Sequence, residues 1–297
     1  MSRSFLARLP LARSGLDRDH LGRDDATLLR HPDARFIVLA DGLALLAGEA
    51  ELAVLTADEA PESELVVYLG RSLETGAPYF CVVLDEPGDR GPWGNLRTLG
   101  SRLSDRDAAL FVESLAITNW HLAHRFSPVS GAAATPAKGG WVLLDSESGK
   151  ELFPRTDVAI IVGVTDADDR ILLGSNAAWE SNRYSLLAGF VEPGESLEAA
   201  VAREVFEESG IRVTDPVYLG SQPWPFPASL MVGFMARVDE SVVSELTPDG
   251  EEILDLRWFS RDELAASIGE IQLPGRASIA NAIIEEWFGG PLPRSGA

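Results

Sequence analysis

The segment Gly189–Ile211, "GFVEPGESLEAAVAREVFEESGI", constrains this chain more than any other. Ser196 is suited to cap a helix, Ala, Val and Glu favour its interior, and Gly210 suits the left-handed position that ends it. The spacing therefore predicts a loop followed by a helix of about three to four turns. At 100° per residue, Glu204 and Glu208 project close to Leu197, on the side of the apolar Val201. Carboxylates in line with an apolar stripe face protein, which costs several kcal/mol unless they are paired or metal-bound. Glu207 flanks the same turn, and Glu195 enters from the preceding loop. Crowded hard oxygen donors suit Mg²⁺ or Mn²⁺ and favour phosphate chemistry. Arg203 is the one cation within the cluster and can orient Glu195 through a bidentate pair. The competing reading is a solvated glutamate-rich face, against which the alignment with the apolar stripe counts.

Composition limits what can surround this helix. A chain of 297 residues is long enough for two domains with their own cores. No apolar run reaches the ~20 residues of a membrane helix, and Arg8 and Pro10 interrupt any signal-like stretch, so a cytoplasmic protein without a membrane partner is expected. The single cysteine, Cys81, excludes an internal disulfide and a thiolate zinc site, and is expected to be buried and structural. A net charge of −21 repels phosphodiester backbones, which argues against nucleic-acid binding through a broad basic face.

Short apolar runs between residues 36 and 85 suit a small, mostly antiparallel sheet. A helix is expected from the N-cap Ser104, with Ala108, Phe111, Val112, Leu115, Ala116, Leu122 and Ala123 as its apolar face. His121 and His124 stand one turn apart near its end, but no third metal ligand accompanies them. "FSPVSGAAATPAKGG", 126–140, has the composition of a junction. Beyond it, 157–175, 183–191, 230–238 and 253–259 read as strands and 274–288 as a closing amphipathic helix. Eleven residues after Gly210 begins "SQPWPFPAS", 221–229. Alternating prolines fix φ and resist collapse, so Trp224 and Phe226 are expected to be held out as a preorganised shelf for a flat heterocycle, with Gln222 and Ser229 adding hydrogen bonds. A proline-rich surface loop is the alternative.

The spacing G-x5-E-x7-R-E-(aliphatic)-x-E-E-x-G-(aliphatic), carried by Gly189, Glu195, Arg203, Glu204, Val205, Glu207, Glu208, Gly210 and Ile211, is identified as the Nudix box. Its seven fixed residues match by chance on the order of once in 10⁸ windows at average usage. With "SQPWPFPAS", "NLRTLG", "NWHLAHRF" and "LFPRTDVAIIV", most of the chain resembles the NADH pyrophosphatase subfamily. The resemblance implies an α/β fold: a Nudix α/β/α sandwich at 154–290, preceded by a smaller, mostly β domain ending in a linking helix at 1–125 and a linker region at 126–153. It implies Mg²⁺ or Mn²⁺ on Glu204, Glu207, Glu208, Glu252 and the Ala188 carbonyl, with Glu207 as base or further ligand and Arg203 and Glu195 in support. Glu252 is preferred to Glu251 for the carboxylate outside the box. Substrate contacts implied are Arg97, Phe153, Phe190, Gln222, Pro223, Trp224, Pro225, Phe226, Pro227, Ala228, Ser229 and Ala280. The implied reaction is hydrolysis of the pyrophosphate of NADH or NAD⁺ to the nicotinamide mononucleotide and AMP, by a homodimer. Alternatives are removal of an NAD cap from RNA and a non-catalytic sensor of NAD or ADP-ribose.

One departure stands out. Where relatives carry two zinc-binding CxxC pairs, this chain has Ser127, Ser130, Asp145 and Ser148, so no zinc is expected and the region should be held by packing alone. An acidic substrate contact is also replaced, by Gly140, which bears on substrate preference.

Overall fold

Runs of β-branched and aromatic residues broken by Gly, Asp and Pro build the N-terminal sheet. In the computed structural model, which describes residues 5–180 and 182–293, the chain divides into two compact units. The first comprises Pro10–Thr156 and, inserted from much later in the chain, Pro223–Ala228. Its seven-stranded sheet contains β1 (Leu16–Asp17), β2 (Arg35–Ala40), β3 (Leu43–Gly48), β4 (Glu51–Leu52), β5 (Leu65–Ser72), β6 (Pro78–Leu84) and β7 (Trp93–Asn95). The order is β1-β5-β6-β2-β3-β4, with β7 on β3. The pairing is antiparallel as expected except between β2 and β6, which run parallel with Arg35 opposite Tyr79.

After a short helix α1 (Leu96–Leu99), α2 (Asp105–Ala123) begins where Ser104 accepts from the Asp107 N–H. Its buried side is broader than expected, taking in Leu110, Ile117 and Trp120 beside Ala108, Phe111, Val112 and Leu115. Leu122 and Ala123, assigned to the apolar face from spacing, are exposed because the helix ends there and its last turn leaves the core. Cys81 is buried in this core, and desolvation pushes its thiol up to about 12.

Residues 126–153 carry a second sheet, β8 (Ala134–Ala137), β9 (Val142–Asp145) and β10 (Glu151–Leu152), in the order β10-β9-β8. Packing alone does not hold it. The buried Asp145 accepts from the Ser130 hydroxyl at 2.6 Å and from the N–H groups of Glu147 and Ser148, both at 2.9 Å. The hydroxyls of Ser127 and Ser130, then these amides, hold its carboxyl well below the usual range. One carboxylate thus gathers the two loops that resemble a ribbon's metal knuckles. His121 and His124 spend ring nitrogens on main-chain carbonyls, Nε2 on Gly140 O at 2.7 Å and Nδ1 on Trp120 O at 2.9 Å.

The second unit comprises 5–9, 157–222 and 229–293. Its sheet contains β11 (Asp157–Thr165), β12 (Ile171–Asn176), β13 (Leu187–Phe190), β14 (Val213–Trp224, of which the part through Gln222 lies in this unit), β15 (Ser229–Val238) and β16 (Ile253–Phe259). The order is β14-β15-β11-β12-β16, with β13 also on β11. β11 meets β12 only at Thr165 and gives the rest of that edge, Ala159 to Val162, to β13. Alternation along β11 defines the layers. Ile160, Val162 and Val164 pack with Ala200, Val201 and Val205 of α3 (Leu197–Ser209), whereas a Cβ at Gly163 would meet Ile283 of α5 (Ile279–Phe288). Side chains of opposite parity point to opposite faces, so α3 and α5 cover the two sides of an α/β/α sandwich. A short helix, α4 (Arg261–Ser267), follows β16 behind a Ser260/Glu263 capping box.

Candidate active site

Helix α3 is built as its sequence dictates. The Ser196 side chain accepts from Ala199 N, and Gly210 closes the helix at φ 70°. The buried stripe of Ala200, Val201 and Val205 lays the helix on the sheet and carries Glu204 and Glu208 inward. Glu208 is 5% exposed and its Oε2 has no hydrogen-bond partner among the described residues. Desolvation, then the charges of Glu252, Glu204 and Asp249, push its carboxyl up to about 8, partly offset by the Ala188 amide. Glu204 is also raised, by desolvation first and then by Glu207 and Glu252, against the pull of Arg203.

Arg203 organises the rest. Nε and Nη2 bind Glu195 at 2.9 and 2.8 Å, Nη1 reaches Glu204 at 2.8 Å and Glu207 at 3.0 Å, and Nη2 also donates to Phe190 O at 2.9 Å. The bidentate pair expected with Glu195 is therefore formed, and it holds Glu195 below its ordinary range. Glu207 remains 57% exposed at its side chain. Gly189 is required by contact: a Cβ there would lie 2.0 to 2.2 Å from the Glu204 carboxylate. Ala188, Gly189, Phe190, Arg203, Glu204 and Glu252 share one open cleft of about 460 Å³, which Ala159, Ser229 and Met231 also line. Phe190 stands at the rim, 58% exposed.

Glu252, and not its neighbour Glu251, lines this cleft and bears on Glu204 and Glu208. Among the described residues no three His, Cys, Asp or Glu side chains converge as a finished metal site. The donor set nevertheless fits a hard divalent cation, because a buried carboxylate with a bare oxygen faces two more carboxylates with Arg203 engaged on only one of them.

The other expected contacts are dispersed. Gln222 is fully buried; its Nε2 donates to Ala277 O at 2.9 Å and its Oε1 has no partner among the described residues. Ala280 is buried in the first turn of α5. Phe153, in the first unit, is 65% exposed. Within that unit Trp224 and Phe226 are half-buried against the core rather than held out as a free shelf. Their rings meet edge to face at 5.0 Å, and the Arg97 guanidinium covers Phe226 at 3.8 Å. Burial of ring surface, at roughly 25 cal/mol per Å², and the cation–π contact favour this packing. Sequence reasoning missed Asn119, whose Nδ2 donates to Pro225 O at 3.0 Å and Pro227 O at 2.9 Å and so pins the turn.

A NUDIX domain model matches residues 154–281, and a model of the NADH pyrophosphatase-like rudimentary NUDIX domain matches 23–120. The chain belongs to the Nudix hydrolases, enzymes that act on pyrophosphate bonds and generally use divalent metals, and among them to the NADH pyrophosphatase family. It is 39% identical over 302 residues to "NAD-capped RNA hydrolase NudC" of Mycobacterium bovis (strain BCG / Pasteur 1173P2), covering 97% of this chain and 94% of that protein. It is 38% identical over 221 residues to the protein of the same name from Stutzerimonas stutzeri (strain A1501), covering 74% and 76%. A crystal structure of a Nudix hydrolase from Nitrosomonas europaea aligns over 56% of this chain and 94% of its own, at 20% identity and a TM-score of 0.44.

Proposed function

We propose that this protein hydrolyses the pyrophosphate bond of NADH and NAD⁺, giving the nicotinamide mononucleotide and AMP. The observation that carries the reading is the buried Glu208 oxygen, without a hydrogen-bond partner among the described residues, under the charges of Glu204 and Glu252, which line an open cleft rimmed by an exposed aromatic, Phe190. Glu204, Glu208 and Glu252, with Glu207 and the Ala188 carbonyl at hand, would hold Mg²⁺ or Mn²⁺. Such an ion, when bound, neutralises phosphate charge and acidifies the attacking water. Glu207, exposed and tethered by a single Arg203 bond, would be the base that takes the proton from that water. Arg203 and Glu195 keep Glu204 and Glu207 in register, and Phe190 offers a face for the nicotinamide ring. Arg97, Phe153, Ala280 and the segment Gln222–Ser229 enter the proposal as substrate contacts through the resemblance. A cytoplasmic homodimer belongs to the same reading, and light scattering tests the dimer.

The relatives' name favours a second substrate, the NAD cap of RNA. The same pyrophosphate would be cut, while the charge of −21 opposes the attached phosphodiester chain. The experiment is incubation with Mg²⁺ or Mn²⁺ and NADH, beside NAD⁺ and an NAD-capped oligoribonucleotide, with Glu207→Gln as control. Metal-dependent release of AMP and reduced nicotinamide mononucleotide, lost in the control, supports the first reading. Release only from the capped RNA transfers the function to the second. No release from any of them leaves a binding role and refutes both.

A further inference from the structure

The carboxylate outside the box is held by residues with no assigned role, and this inference rests on the proposed part of Glu252 in binding the cation. Glu252 sits on the approach to β16, where nothing in local sequence fixes the direction of its side chain. Two groups do so from different elements. Asn176, the last residue of β12, donates from Nδ2 to Glu252 Oε1 at 3.1 Å, and its own Oδ1 accepts from Ala178 N at 2.9 Å. The peptide beside it joins in, as Ala177 N donates to Glu252 O at 2.7 Å. On the other side, Asp249 Oδ1 accepts the N–H groups of Glu251, Glu252 and Ile253 at 2.8, 2.9 and 2.9 Å, winding the loop into a tight turn just before the strand.

The ladder itself is adjusted to this arrangement. β12 and β16 pair regularly up to Ser175 opposite Asp255, and then slip by one, so that Asn176 lies opposite Ile253 and Leu254 is left over. Leu254 is 56% exposed, as a looped-out bulge residue would be. Bulges re-aim the side chains next to them at the cost of ladder hydrogen bonds. Here the re-aimed residues are Asn176 and the residue before Ile253, which is Glu252.

We propose that Asn176 and Asp249 are positioning residues that hold the Glu252 carboxylate toward Glu204 and Glu208, and so set the affinity of the cleft for a divalent cation. Asp249 acts through its acceptor oxygen, since a single atom, Oδ1, takes all three amides. Asparagine can reproduce that geometry, and alanine cannot.

The test is direct titration of Mn²⁺ without substrate, following the free-ion paramagnetic resonance signal, with circular dichroism on each variant. Wild type should bind. Asn176→Ala and Asp249→Ala should weaken binding about tenfold or more, as loss of a residue supporting a ligand does, and Asp249→Asn should stay within about threefold of wild type. Glu252→Gln should bind at least as weakly as Asn176→Ala. Wild-type affinity in both alanine variants, with Glu252→Gln weakened, would overturn the positioning role and leave the cation reading standing. Equal weakening in Asp249→Asn and Asp249→Ala would overturn the acceptor role of Asp249. Wild-type affinity in Glu252→Gln would remove Glu252 from the site, and this inference with it. If Asp249→Ala loses its helical signal, Asn176→Ala and Asp249→Asn decide the matter.

Discussion

Glu113→Gln should make the protein less sensitive to rising pH. Glu113 lies on the buried side of α2, its side chain 2% exposed, with Arg18 Nη1 3.2 Å from Oε1 and no hydrogen-bond partner for that oxygen among the described residues. Desolvation raises its carboxyl to about 7 despite the charges of Arg18 and Arg23. A folded-state value above the unfolded 4.5 means that the native state holds the proton more tightly. The associated stability is complete below about 4.5 and is lost as pH rises through 7. The shift converts at 1.36 kcal/mol per unit to about 3 kcal/mol at pH 8, and to less than about 1 kcal/mol at pH 5. Glutamine imitates the protonated acid and does not titrate. Urea unfolding from pH 5 to 8 should therefore show the variant gaining on wild type by about 2.5 kcal/mol across the range, the difference between the two ends. The difference between the two proteins is the quantity to read, because the buried His121 on the same helix has a lowered value. His121 contributes stability that is present above 6.5 and lost as pH falls, and it cancels between variants. A difference that stays flat from pH 5 to 8 would refute the reasoning, since Glu113 would then be ionised at no cost beside the two arginines.

Arg203→Ala removes the common partner of Glu195, Glu204 and Glu207 and leaves Glu204, 13% exposed at its side chain, without its cation. A loss of about 3–5 kcal/mol in urea unfolding is expected, with Arg203→Lys nearer to alanine than to wild type because an ammonium cannot form the fork. Asp145→Ala should lower the melting temperature while a zinc-selective chelator leaves wild type unchanged, and wild type should lose stability as acid protonates Asp145, whose folded value is depressed. An unchanged melting temperature in Asp145→Ala would show that the hydrogen-bonded knot is dispensable. Asn119→Ala and Asn119→Asp both remove the amide donor to Pro225 and Pro227. If the turn serves substrate binding, both should raise KM for NADH by about fivefold, the equivalent of one net hydrogen bond, with a smaller change in kcat.

The box helix was legible in full because each of its determinants is local. The Ser196 cap, the apolar stripe and the left-handed Gly210 lie within one element, and helical geometry alone carries Glu204 and Glu208 inward. The same holds for Ser104 at the start of α2, but not for the end of that helix. Periodicity continues through Leu122 and Ala123, while burial there depends on what the rest of the chain places against the last turn. The parallel pairing of β2 with β6 was illegible for a similar reason, since alternation marks a strand and says nothing of its partner's direction.

What stayed hidden in each unit is the set of contacts that span long stretches of sequence. Asn176 reaches Glu252 across 76 residues and Asn119 reaches Pro225 across 106, and neither asparagine stands in a pattern that marks it. The aromatic turn shows how such contacts change a reading. Prolines at every second position do stiffen the chain, but stiffness decides only which shapes are cheap. Asn119 holds the turn from α2, Arg97 covers one ring from α1, and the core takes the remaining ring surface. The segment is therefore ordered by the unit that encloses Pro223–Ala228, although β14 through Gln222 and β15, which deliver and retrieve it, belong to the unit with the carboxylate cleft. A substitution in α2 can thus alter a segment that begins eleven residues after Gly210 in the sequence, without touching any box residue.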